Sequence, residues 1–166
     1  MDKNKTVSYC LDALKIAGAD KATCSLNLSE KKELNVEIGE MTLLRTTFNS
    51  GMGISVIKDH KKGSTFINKT DKDSIDAAIE LVMEMSKGSQ PDDAYDIAEQ
   101  QPSQSFSKGD ESANLEKMYQ SLAEFVDYVK STYPKIQLES AIMDFNHSSS
   151  FFQNTNGVNF IIREGM

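Results

Sequence analysis

Between residues 22 and 68 the chain keeps a period of two, and none of the links in that stretch is long enough to hold a helix. Ala22, Cys24, Leu26 and Leu28 alternate with Lys21, Thr23, Ser25 and Asn27, the signature of a strand with one wet face. Leu34, Val36 and Ile38 alternate with Glu33, Asn35 and Glu37, and Gly39-Glu40 then reads as a short hairpin connection into 41–48. Gly51-Met-Gly53 interrupts the pattern before Ile54-Ser-Val-Ile57, and the polar stretch 58–63 turns the chain into a fifth segment, 64–68. Parallel pairing needs crossovers of a dozen residues or more, so five such segments predict an antiparallel meander.

Helical periodicity flanks this block. Val7, Cys10, Leu11, Leu14 and Ala17 predict a helix over 5–17, with Gly18 at the left-handed position that ends many helices. Ile75, Ala78, Ile79, Val82 and Met83 predict a second over 71–87, capped by Thr70 or Asp71, with Asp73 near the positive end of its dipole. Leu115, Met118, Leu122, Phe125, Val126 and Val129 give a third over 113–132, stopped before Pro134. Residues 89–112 hold two of the three prolines and many Gln, Ser and Asp, and read as a surface connector. A strand over 136–145 follows, then arms at 149–153 and 158–163 around the turn Thr155-Asn-Gly157. The expectation is a single α+β domain over 1–166, mainly antiparallel sheet with about three helices, belonging to a longer protein that continues after 166.

A net charge of −7 opposes approach to phosphate backbones or anionic lipid, and no run of apolar residues reaches membrane-spanning length. Neither nucleic acid nor membrane is an expected partner, and a cytoplasmic location is expected. In a reducing compartment Cys10 and Cys24 remain thiols, and their apolar positions make them core residues.

The residues supply no catalytic constellation. His60 and His147 each lack a second histidine or a carboxylate at the helical spacing a zinc site uses, so no metal ligand is assigned. Asp144-Phe-Asn-His-Ser holds the residue types of a hydrolytic triad, but triad members meet through the fold and not by adjacency. Gly51-Met-Gly53 lacks the third glycine of a dinucleotide loop and precedes a strand, which marks a bulge or a close backbone approach. Asp92-Asp93 and Asp71-x-Asp73 lack the ligand spacing of a calcium loop. Lys58, Lys61 and Lys62 read as a solvated turn.

The helix ending at Gly18-Ala-Asp, the meander, Asn49-Ser-Gly-Met-Gly-Ile-Ser-Val, the helix from Thr70, Gln90-Pro-Asp-Asp-Ala-Tyr and the late Asn154-Thr-Asn-Gly157 occur in one order. In that order they resemble the N-terminal region of the TldD/PmbA family, whose members are also called modulators of DNA gyrase and family U62 peptidases. The resemblance implies structural roles for Asn49, Gly51, Gly53, Asn156 and Gly157. It also implies a zinc metallopeptidase system acting on peptides or unfolded protein in the cavity of a homo- or heterodimer. TldD-type members carry a downstream His-Glu-x-x-x-His zinc helix, whereas PmbA-type members lack it and pair with a TldD-type subunit. This chain has no His-Glu dipeptide, and its Gly-Met-Gly segment is similar to the PmbA type. No cofactor is expected in this chain, with zinc expected only in the full-length protein or its partner. The reading is a chamber-wall or partner-contact domain without catalytic residues; a peptide- or protein-binding module, or an oligomerisation domain, is the alternative.

Overall fold

A computed structural model describes residues 2–166. The elements run α1 (Lys3–Ile16), β1 (Lys21–Glu37), β2 (Glu40–Lys58), β3 (Lys61–Ile67), α2 (Lys72–Gly88), β4 (Gln104–Lys108), α3 (Leu115–Thr132), β5 (Ser140–Asn154) and β6 (Asn159–Gly165). The strands form one six-stranded, mostly antiparallel sheet in the order β3-β2-β1-β5-β6-β4, an α+β fold. The first three strands are the expected meander, with β2 and β3 antiparallel from Met52 opposite Ile67 to Lys58 opposite Lys61.

Each helix begins on a side-chain cap that satisfies an otherwise orphaned backbone N–H. Asp2 accepts from Asn4 N–H at 2.9 Å, Asp71 from Ser74 N–H at 3.0 Å, and Asn114 from Lys117 N–H at 3.0 Å. Gly18 takes φ 92° just beyond α1, where a side chain would be strained.

Several sequence-based boundaries are corrected. The five expected strand segments are three strands, because neither interruption breaks pairing. Ser29-Glu-Lys-Lys stays extended within β1, its charges answered across and along the strands: Lys31 meets Asp144 at 2.9 Å and Lys32 meets Glu30 at 3.2 Å. Gly51-Met-Gly53 continues β2 without a break, and its glycines serve close contacts described below. The first hairpin turns at Ile38-Gly39 and not at Gly39-Glu40. Both residues have positive φ, 51° and 75°, so Ile38 leaves the strand and is 68% exposed. The second hairpin turns the same way at Asp59 and His60, with φ 51° and 61°. Residues 136–139 lie outside the late strand, which starts at Ser140 and runs unbroken through 145–149. The connector is exposed but carries β4, a strand its polar composition concealed.

The chain divides into two compact units, and β1, β2 and β5 each contribute to both. The first comprises residues 2–28 with Ser50–Ser107 and Ser149–Ile162. Its core joins one face of α1 (Val7, Cys10, Leu14) and one of α2 (Ile75, Val82) to Cys24, Met52, Val56 and Phe151 of the sheet. Gly63 lets α2 lie directly on β3: a Cβ there would overlap the Val82 carbonyl oxygen and stand 2.8 Å from Ser86 N. Cys10 and Cys24 are free and buried, as expected, and the Cys10 thiol together with burial pushes the Cys24 thiol up.

The second unit comprises Ser29–Asn49, Lys108–Ser148 and Arg163–Met166. Leu122 and Val126 of α3 bury against Leu34 and Val36, with Met41, Met118 and Met143 packed around them. In β5 the inward residues are Ala141 and Met143, while Ile142 points to solvent.

Candidate partner-contact surface

Five motif positions were expected to be structural, and the structure places them at separate points. In the first unit Gly51 lies beneath the Phe66 ring, which a Cβ at that position would penetrate. A Cβ on Gly53 would stand 3.0 Å from Ser25 Oγ. Asn49 is an exposed residue of β2. Asn156 and Gly157 form the turn between β5 and β6, with Gly157 at φ 91° donating its N–H to the Asn154 carbonyl at 3.2 Å.

That turn is organised by a residue the motif reading passed over. Asn154, almost fully buried, accepts through Oδ1 from the N–H groups of Asn156 and Val158, both at 3.0 Å. Its Nδ2 donates to the Ala98 carbonyl at 2.7 Å, and Asn156 Nδ2 donates to the same oxygen at 3.1 Å. An asparagine two residues before an Asn-Gly pair is a signal that could have pointed to such an Asx-type bond. The contacts also fasten the connector. Asp92 N–H donates to the His60 carbonyl at 2.8 Å, Lys21 donates to Asp96 at 2.5 Å, and His60 meets Asp93 at 3.0 Å.

Neither histidine stands in a catalytic arrangement. His60 is an exposed turn residue. His147 borders a crevice of about 10 Å³ with Glu30, Lys32 and Glu111, room for barely one water. Among the described residues no three His, Cys, Asp or Glu side chains are grouped to hold a metal ion. A shallow groove of about 590 Å³ in the first unit is bordered by Phe66, Lys69, Ala77 and Leu81, with no acid–base pair.

What the second unit offers is a sheet edge and a charge lock beside it. β3 pairs with β2 only from Met52 onward, so among the described residues no strand lies on that side of residues 40–49 of β2. Leu43, Leu44 and Phe48 on this segment are 48%, 53% and 72% exposed. Its one cation between 41 and 49, Arg45, is held by Glu33 at 2.9 Å, and Lys31 approaches Glu33 at 3.6 Å and Asp144 at 2.9 Å. The Glu33 side chain is only 6% exposed, and the Arg45 guanidinium holds its carboxyl below the usual range. The Asp144 carboxylate in turn pushes the Lys31 ammonium up.

The fold is an α+β domain built on a long-stranded sheet. Residues 24–86 match the family described as PmbA/TldA metallopeptidase domain 1, a match that fits an N-terminal domain of the TldD/PmbA family. Three solved structures share the fold over nearly the whole chain. TldE from Thermococcus kodakarensis is 15% identical with a TM-score of 0.78, covering 96% of this chain and 37% of that one. A proposed modulator of DNA gyrase from Bacteroides thetaiotaomicron is 14% identical with a TM-score of 0.75, covering 99% and 39%. Another from Thermotoga maritima is 11% identical with a TM-score of 0.64, covering 97% and 37%. The chain thus spans less than two fifths of the length of these proteins. No curated protein matches the sequence at a significant level.

Proposed function

We propose that this domain is the partner-contact or chamber-wall part of a TldD/PmbA-like metallopeptidase system and supplies no catalytic group of its own. The family match over residues 24–86 carries this reading, since the matching description names a metallopeptidase domain. The Gly51-Met-Gly53 segment favours the PmbA type, working as a homodimer or with a TldD-type subunit that contributes zinc. Its substrates on this reading are peptides or unfolded chains, and its location is the cytoplasm. Among the described residues no helix is long and apolar enough to cross a membrane. The net charge of −7 argues against direct contact with nucleic acid.

The test is zinc content and peptide cleavage by the full-length protein, alone and mixed with a TldD-type subunit from the same cell. Cleavage only in the mixture is the expected result. Zinc with cleavage by the protein alone makes it a TldD-type peptidase. Absence of cleavage in both, with no complex formed, leaves the second reading, a non-enzymatic binding module, which the unpaired edge of β2 favours.

A further inference from the structure

The free edge of β2 has the chemistry of a self-pairing strand. Resting on the homodimer reading above and naming its surface, we propose that residues 40–49 pair antiparallel with the same segment of a second copy, joining two sheets across a two-fold axis. A strand edge presents alternate N–H and C=O groups with no partner but water, and another strand is the occupant that satisfies them all.

Edges that must stay single usually carry a lysine, a proline or an inward-pointing charge. This one carries none of the three between 41 and 49: its sequence is Met-Thr-Leu-Leu-Arg-Thr-Thr-Phe-Asn. The two charges of the paired segment are both answered within the chain, Arg45 by Glu33 at 2.9 Å and Glu40 by Lys130 at 3.2 Å. Two copies therefore meet without like-charge opposition, despite a net charge of −7 on each chain. An acidic or basic partner strand finds no free countercharge on the segment, whereas an identical strand sets Phe48 opposite Met41 and the exposed Leu44 beside the stem of Arg45. Such an isologous contact closes on itself and builds no fibre.

Sedimentation of the whole chain from about 1 to about 100 μM, a range in which micromolar pairing registers, tests the proposal. The expected result is a monomer–dimer equilibrium with slowed amide exchange over 42–48 in the dimer. Leu44→Lys, at an exposed site, should weaken the dimer about tenfold or more by setting like charges across the two-fold axis. Leu81→Lys, on the exposed side of α2, should leave it unchanged. A dimer equally sensitive to both substitutions, or to neither, overturns the edge assignment while leaving the dimer reading intact. A monomer throughout overturns both, and added peptide binding to that monomer would move the edge to peptide capture.

Discussion

Asn154 and Glu33 are the two buried polar residues whose loss the structure predicts most directly. Removing the Asn154 side chain orphans the buried Val158 N–H and the Asn156 N–H and takes one of two donors from the Ala98 carbonyl, at about 0.5–1.5 kcal/mol per bond. Asn154→Ala should therefore lower unfolding stability by about 2–4 kcal/mol in urea titration. Asn154→Asp keeps the acceptor for both N–H groups but sets a carboxylate oxygen against the Ala98 carbonyl, so it should not restore full stability. Glu33 predicts an acid limb. Its folded carboxyl titrates below the ordinary value of 4.5, because Arg45 and then Lys31 favour the ionised form. That contribution is present above 4.5 and lost as pH falls through the lower folded value. Thermal melts between pH 6 and 3 should show the wild type losing stability more steeply than Glu33→Gln. Tyr9 is the opposite case: its hydroxyl donates to Asp76 at 2.5 Å, and the phenol is pushed up to about 12. This contribution is full below 10.0 and lost as pH rises through about 12. An absorbance titration should find one of the five tyrosines ionising late, and Tyr9→Phe should remove that step.

At the scale of elements, the packing of α2 on β3 depends on one missing side chain. Gly63→Ala drives a Cβ into the backbone of α2, which cannot swing aside as a side-chain tip can. The expected loss is about 1–3 kcal/mol, read from the urea midpoint. The helices were legible because apolar spacing agrees with a terminal glycine, Gly18, in α1 and with a polar cap, Asp71, in α2. Strand identity was legible for the same reason, since Cys24, Leu26, Leu34 and Val36 keep to the core side. Strand length was not. Ser29-Glu-Lys-Lys looks like a turn until Asp144, more than a hundred residues away, supplies the countercharge for Lys31. Gly51 and Gly53 look like a break until Phe66 and Ser25 show what occupies the space. β4 was invisible because Phe106, which meets Phe160 edge to face at 6.3 Å, is its only large apolar residue. The free edge of β2 could not be read from the sequence, since it depends on where β3 stops.

Across the whole molecule the two units differ in how much they bury. Among the described residues fifteen buried side chains form the core of the first and four that of the second. Local opening follows the density of buried apolar contacts, so amides of α3 should exchange faster than those of α1 and α2 in native-state hydrogen exchange. Equal protection of all three helices would show that the units open only together. One further reserve lies at the tip of the first hairpin. Ile38 is β-branched, exposed and held at φ 51°, a conformation that costs such a residue on the order of 1–3 kcal/mol and that asparagine or glycine adopts readily. The molecule thus has thermal headroom at an exposed site outside either core: one substitution, Ile38→Asn, should raise its melting temperature by several degrees.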